Sequence, residues 1–510
     1  MNVVFFMSDS YRYDNLSCYG PTKTHTPRLD AFAGQAHVFE NAYLGSFPTV
    51  PNRLDIMSGR FSCIEYQWQP LPREVLTFQE ILTASGITTQ LIADTPHILG
   101  EGFNYSRGWM GWEWIRGQET DRWKTHPHDV PLPAAPSKLR NPEGIKVHYR
   151  NTAWWCGEED RFVARTVGAA CDWLDNACRA PERKPFFLYV DTFDPHEPWD
   201  APQHYVDLYD PGYTGENPNY PVYGFWQEVM SERELQHINA EYRAEATMVD
   251  RWFGVLLDKL DALGLTEDTV VIFTTDHGYL FGEHGVVGKS LIPQAKGAGM
   301  SFESTRMYED IRRTPLLVRM PGQGRQQRHT AFVQSPDLMP TFLELCGLVT
   351  TETKRGKSEI QALQCGVFYT ERWEFDPDRV HGRSIVPLLN GESNTHRDVA
   401  VCSSTLVGHS PKVAKAAILT EDGWCLHYAG AYPKDESAGG LGAAGALLNL
   451  DITRAPTEPA LFYLPDDPAE EHDVLAANEA LAAEIHARYV AWLEEVGTPE
   501  PHLVGRRALR

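Results

Sequence analysis

Thr49 lies in Phe47-Pro-Thr-Val-Pro-Asn-Arg53, which runs on into Leu54-Asp-Ile-Met-Ser-Gly-Arg60. Pro51 suits the first turn of a helix, where the N–H it lacks would be unpaired anyway. The run 52–57 then reads as that helix, with Gly59 as its stop signal. A hydroxyl at such an N-terminus faces unpaired backbone N–H groups and the positive end of the helix dipole. Arg53, one turn on, can reach back toward the same point. The arrangement suits an alkoxide or a tetrahedral oxyanion. Taken alone, Thr49 is a helix cap; the case for chemistry depends on what else the chain brings there.

Three other side chains offer metal ligands. Asp9, Asp276 and His277 supply two hard oxygens and one nitrogen, a set for Ca²⁺, Mn²⁺, Mg²⁺ or Zn²⁺ that the Thr49 hydroxyl would complete. Two carboxylates and an alkoxide against a doubly charged cation leave one negative charge. Arg53 and Lys289 reverse that to one positive, enough to accept a phosphate or sulfate ester. A metal lowers the pKa of bound water from ~15.7 to ~7, and a coordinated threonine hydroxyl is activated in the same sense. His196 is then placed to protonate the leaving oxygen or to bind a non-bridging one. Each residue alone has a plainer reading as a turn, a solvated lysine or a structural histidine. Their joint occurrence makes the argument.

The elements that must hold them repeat one pattern. Apolar runs at 2–7, 88–93, 185–190 and 269–275 each end in Asp, His or both: Ser8-Asp9, Asp94-Thr-Pro-His97, Asp191-Thr-Phe-Asp-Pro-His196 and Asp276-His277. Short apolar runs closed by polar residues read as buried parallel strands, and the loops leaving their carboxyl ends build the site. Helical patterns at 162–179 and 233–263 lie between them, so the chain is an α/β sandwich. Residues 123–155 show no clear period and read as a long insertion. Residues 1–380 form the catalytic domain. Residues 381–510, with strand-like pieces, a Gly- and Ala-rich stretch at 433–447 and a helix at 475–495, form a smaller α+β subdomain.

The 510 residues carry 46 Lys and Arg against 69 Asp and Glu, a net charge of −23 that argues against nucleic acid as a partner. Nine cysteines without a CxxC pair argue against a disulfide framework or a zinc cluster and for a cytoplasmic protein. No signal peptide and no apolar span of ~18–20 residues are visible, so no membrane is expected. The expected partner is a small anionic ester; a homo-oligomer stays open.

The ordered motifs resemble the sulfatase family of the alkaline phosphatase superfamily. They include Ser8-Asp9, the 49–60 element, Asp194-Pro-His-Glu-Pro198, Thr275-Asp-His-Gly278, Gly282-Glu-His-Gly285, Gly288-Lys289 and Leu461-Phe-Tyr-Leu-Pro-Asp-Asp-Pro468. The resemblance implies an alkaline-phosphatase-like sandwich with a mostly parallel central sheet, and a divalent metal. Family members carry Cys or Ser at position 49 and oxidise it to formylglycine; Thr49 cannot yield that aldehyde, so no formylglycine is expected. A threonine there is similar to the phosphodiesterase and phosphonoacetate hydrolase branches, whose hydroxyl attacks phosphorus. Ser10 replaces the second residue of the family's Asp-Asp pair. Asp94 and His97 stand where the family's Gly-Lys-Trp-His element would be, in a form nearer to phosphonate monoester hydrolases, and are assigned to substrate binding; His97 and His284 are also candidates for a second metal. The expected function is hydrolysis of phosphate or phosphonate esters through phospho-Thr49. The alternatives are a sulfatase, a phosphotransferase or mutase, and a catalytically silent binding protein.

Overall fold

The computed structural model describes residues 1–125, 130–179, 184–291, 303–348, 357–358, 361–364, 367–370, 373–374, 379–407, 414–430 and 458–509. In chain order, the strands that position the site begin with β1 (Asn2–Ser8), β2 (His37–Phe39), β3 (Ser46–Phe47), β4 (Thr88–Ala93) and β5 (Gly111–Trp114). They continue with β6 (Phe186–Thr192), β7 (Thr269–Thr274), β8 (Leu316–Arg319) and β9 (Gln327–His329). All but β3 join one eight-stranded sheet in the order β9-β2-β8-β7-β1-β6-β4-β5. The five strands β7, β1, β6, β4 and β5 are parallel, and β8 runs against both of its neighbours. The four apolar runs of the sequence are thus adjacent strands at the middle of the sheet, and their polar endings emerge side by side.

Side chains alternate between the two faces of a strand, and here both faces are covered. Val3, Phe5 and Met7 of β1 pack with Tyr189, Ile272, Phe78 and Phe342 on one side, together with Leu54 and Met57 of helix α1 (Thr49–Ser58). Val4 and Phe6 point the other way, into Val190, Phe273 and two long helices. Strands buried on both faces carry unbroken apolar runs, and that is why these were legible. After α2 (Pro142–Thr152), the long helices are α3 (Phe162–Cys178) and α4 (Glu232–Ala262). The start of α4 is fixed by Ser231 and Glu234, which bond reciprocally to each other's backbone.

The 123–155 insertion departs from its expectation of irregular chain: α2 lies inside it. Asn141 caps that helix by accepting from the Gly144 N–H at 2.9 Å, and Pro142 occupies its first position. Ile145 packs with Leu139 and Tyr220 in a small satellite core. The Asn-Pro start signal was present, but of the residues the helix buries, Gly144, Ile145, His148 and Asn151, only Ile145 is a large apolar side chain, so the inward face does not read as an apolar stripe.

The C-terminal strands β10 (Val399–Ser404), β11 (Lys415–Thr420), β12 (Trp424–Ala429) and β13 (Ala460–Tyr463) form a second sheet in the order β13-β12-β11-β10-β3. Helix α5 (Glu479–Glu495) covers it through Ala482, Ile485, Tyr489 and Leu493. The expected helix at 475–495 is divided: a 3-10 turn, Leu475–Ala477, precedes α5. Residues 433–447 lie outside the described residues. The last strand of this sheet is β3, the two residues just before Pro48, paired parallel to β10. The second sheet therefore fixes the approach of the chain to Thr49. No helix among the described residues is long and apolar enough to cross a membrane.

Candidate active site

Thr49 is the first residue of α1, and Gly59, at φ 69°, ends that helix in the left-handed conformation its stop requires. Its hydroxyl is not used as a cap. It lies fully buried, 3.2 Å from His277 Nε2, with Lys289 Nζ at 3.4 Å. His277 Nδ1 is 3.0 Å from the carbonyl of Gly278. A carbonyl can only accept, so Nδ1 carries the proton and donates, and Nε2 presents its lone pair to Thr49. Burial holds the His277 pKa down to about 3, and Lys289 and Arg53 add to this against the pull of Asp276. The imidazole is therefore neutral at physiological pH. Lys289, on the loop after Gly288, donates to the same Nε2 at 3.1 Å.

Behind Thr49 lies a fully buried charge cluster. Arg53 Nη1 donates to Asp9 at 3.1 Å, to Asp276 at 2.9 Å and to the Thr49 carbonyl at 3.2 Å. Its other edge is clamped by Asp191, with Nε and Nη2 at 2.8 and 2.7 Å. Asp191 also accepts from Thr95 at 2.6 Å and Tyr189 at 2.7 Å. The backbone N–H groups of Ser10 and His277 both donate to Asp276 Oδ1 at 2.9 Å. Burial and the neighbouring Asp276 push Asp9 well above the usual carboxylate range, with Arg53 opposing. Burial acts on Asp276 as well, but His277, Arg53 and Lys289 outweigh it and keep that carboxyl low. Two carboxylates crowded in this way beside one shared guanidinium call for a further cation.

One ligand atom from each of Asp9, Asp276 and His277 falls within 4.8 Å of the others. Two carboxylate oxygens and an imidazole lone pair fit a divalent ion, and Asp9, Asp276 and His277 would hold it, with the Thr49 hydroxyl beside them. Ser10 adds no carboxylate; its hydroxyl donates to Asp9 Oδ1 at 2.9 Å.

Asp191 changes the charge count made from sequence. With the cation and a Thr49 alkoxide, Asp9, Asp191, Asp276 and the alkoxide give four negative charges. Arg53, Lys289 and the metal give four positive ones, so the site is neutral rather than singly positive.

Thr49 and Lys289 open onto a cavity of about 480 Å³ also lined by His196, His97, Trp68, Glu119, Arg140, Tyr220 and Tyr223. His196 stacks on Phe193 with centroids 4.0 Å apart, and its Nδ1 donates to the Glu197 carbonyl at 2.6 Å. Burial, with Lys289 and Arg140 nearby, holds His196 well below its usual pKa. Without substrate it offers an acceptor at Nε2; an incoming anion would raise its basicity, so that it takes up a proton from water and can then act as an acid. His97 lines the same cavity, 2.9 Å from Glu119.

Two candidates lie elsewhere. Asp94 is a correction: it does not line the cavity but braces the strand ends. It accepts from Thr166 at 2.9 Å, Thr192 at 3.1 Å and the Phe193 N–H at 2.5 Å, which fixes the loop leading to His196. His284 stacks on Tyr308 at 3.5 Å, outside the cavity lining. Sequence reasoning missed Asp191, Trp68, Glu119, Arg140, Tyr220 and Tyr223. Only Asp191 carried a usable signal, since it ends one of the four strands. Arg140 comes from the insertion, and Ser404 and Thr405 at the end of β10 also reach the cavity.

The family model described as Sulfatase matches residues 1–348. The ulvan-active sulfatase of Formosa agariphila is 29% identical over 365 residues, which cover 68% of this chain and 62% of that protein, so the chain spans less than two thirds of that relative. Among solved structures, the phosphonate monoester hydrolase of Agrobacterium radiobacter aligns with a TM-score of 0.66 at 19% identity, covering 97% of this chain and 95% of that one. A chain solved in complex with its substrate D-glucosamine-2-N,6-O-disulfate aligns with a TM-score of 0.67 at 17% identity, covering 98% and 99%.

Proposed function

Because the chain belongs to the sulfatase family, we propose that it is a metal-dependent ester hydrolase with Thr49 as nucleophile, acting on small, singly charged phosphorus esters. The observation that carries this reading is the buried Thr49 hydroxyl at a helix N-terminus, between the His277 lone pair and Lys289. Thr49 Oγ, its proton lost to water as the alkoxide forms, attacks phosphorus and the P–O bond to the alcohol breaks. The leaving oxygen takes a proton, and His196 is the group placed to give it once the substrate anion has raised its pKa. Lys289 holds a non-bridging oxygen. Water then attacks phosphorus, the Oγ–P bond breaks and threonine is regenerated. A divalent cation held by Asp9, Asp276 and His277 would polarise the ester and favour the alkoxide form of Thr49. Arg53 neutralises the carboxylates that position these groups.

The neutral charge count favours substrates with one negative charge, such as phosphodiesters and phosphonate monoesters, over dianionic phosphate monoesters. Sulfate esters carry the same single charge, and the relatives named as sulfatases support that second reading at least as well. Against it stands the chemistry of Thr49: without an aldehyde hydrate to expel sulfate, a sulfated threonine must wait for water to attack sulfur.

The test is a rate panel on metal-loaded protein with aryl esters of a phosphodiester, a phosphonate, a phosphate and a sulfate. Turnover should rank the phosphodiester and phosphonate first, by roughly tenfold or more in kcat/KM over the dianionic phosphate. Fastest turnover of the sulfate would give the protein to the second reading.

A further inference from the structure

The insertion delivers Arg140 to the wall of the cavity, and the structure shows what becomes of its charge. The guanidinium lies against two aromatic faces, 4.3 Å from the ring centre of Tyr220 and 4.4 Å from that of Tyr223. Its Nη2 meets Glu119 at 2.8 Å and Glu197 at 3.0 Å. Glu119 is pinned further by the Tyr220 hydroxyl at 2.6 Å and by His97 at 2.9 Å, and Glu197 by the Tyr223 hydroxyl. Glu119 also holds a φ of 48°, a left-handed backbone that a non-glycine residue seldom adopts and that tends to mark functional positions. Burial acts to raise the Glu119 pKa, but His97 and Arg140 overcome it and keep the carboxylate ionised down to about 2. Burial moves Glu197 upward instead. Glu119 and Glu197 hold Arg140 between them, and the ionised Glu119 matches its charge one for one.

An arginine in a cavity for anionic esters would ordinarily serve as a second anion site. Here the same guanidinium is already matched, in a pocket where Lys289 and the Thr49 helix supply the charge for the ester itself. We propose that Glu119 sets substrate choice by cancelling the charge of Arg140, so that the site takes esters whose alcohol half carries no second anionic group. Arg140 and Glu119 act together as a neutral, rigid wall that offers hydrogen bonds, beside the exposed ring of Trp68. A carboxylate, sulfate or phosphate on the alcohol half gives up its water there without finding a free cation and is rejected.

This inference rests on the ester-hydrolase reading, but it concerns the alcohol rather than the transferred group. The test therefore uses para-carbamoylphenyl and para-carboxyphenyl esters, nearly isosteric and differing by one charge, in both a phosphonate and a sulfate series. The wild type should favour the carbamoyl ester in whichever series turns over. Glu119→Gln removes one of the two carboxyl groups held on Arg140 and should shift the ratio of kcat/KM toward the carboxyl ester by about tenfold. Arg140→Gln leaves Glu119 with His97 alone to offset it and should shift it the other way. A purely structural role would slow both esters alike and leave the ratio unmoved. Calorimetric binding of para-hydroxybenzamide and para-hydroxybenzoate to the three proteins reads the same charge dependence without turnover. Failure of the ester-hydrolase reading shows as neither series reacting. Equal ratios and equal binding preferences in all three proteins would overturn the role of Glu119.

Discussion

Thr49→Ala lowers kcat by on the order of 10³-fold or more on the preferred ester, because the attacking oxygen is gone and water must attack the substrate unaided. Binding of the ester falls much less, since Lys289, His196 and the cavity walls stay in place, so the loss is in kcat rather than KM. Thr49→Ser keeps the nucleophile and should retain activity within about tenfold, the missing methyl allowing an extra rotamer. Protein quality does not confuse the result. The residue removed is a small side chain at the first position of α1, its hydroxyl plays no capping role, and the melting temperature of both variants should stay within a few degrees of wild type, about 2–4 °C per kcal/mol or less for a chain of this size. Stopped-assay kinetics on the two variants checks the prediction. An alanine variant with near wild-type kcat would remove Thr49 from the chemistry.

Arg53→Ala should be the most destabilising single change in the site. Asp9, Asp191 and Asp276 surround this guanidinium, and all four side chains are fully buried. Removing one partner of a buried ion pair costs about 3–5 kcal/mol, because the other charge is left without compensation; here three carboxylates lose it together. The sign with pH follows. Uncompensated buried carboxylates have folded pKa values above their unfolded ones, so the folded state binds more protons, and the stability of the variant rises as pH is lowered toward the carboxylate range. A divalent ion that binds Asp9 and Asp276 should offset part of the loss. Thermal unfolding with and without added Ca²⁺, Mg²⁺, Mn²⁺ or Zn²⁺ therefore shows a larger metal-induced shift for the variant than for wild type. Arg53→Lys keeps a charge but not the fork that spans Asp191 and the Asp9–Asp276 pair, and should fall between the two. A variant as stable as wild type, with no response to metal, would contradict the assigned role of Arg53.

What could be read from the chain and what could not follow from where each residue's partners lie. β1, β4, β6 and β7 were legible because strands buried on both faces carry continuous apolar runs, and their polar endings named Asp9, Asp276 and His277 correctly as neighbours. The same signal misplaced Asp94. It ends β4 just as Asp191 ends the adjacent β6, yet Asp94 turns to Thr166 and Thr192 while Asp191 turns to Arg53. Strand register and neighbour identity make that difference, and neither is written in local sequence. Lys289 and Thr49 were found through motif chemistry. Arg140 and Glu119 were not, because their meaning arises only when the insertion folds back over the cavity. The pairing of Ser46–Phe47 with Val399–Ser404 was equally hidden: two residues are too short a strand to show a pattern, yet they tie the C-terminal sheet to the start of α1.

The most direct test of the central claim is to trap the covalent intermediate. Metal-loaded protein is mixed with an aryl ester carrying isotopically labelled phosphorus in the phosphonate or phosphodiester, quenched in acid within one turnover and digested for peptide mass mapping. Thr49 as nucleophile predicts label on the peptide that contains Thr49, absent from Thr49→Ala and lost when the reaction is allowed to run to completion. Label on another residue, or none at all while product forms in a burst, would contradict it.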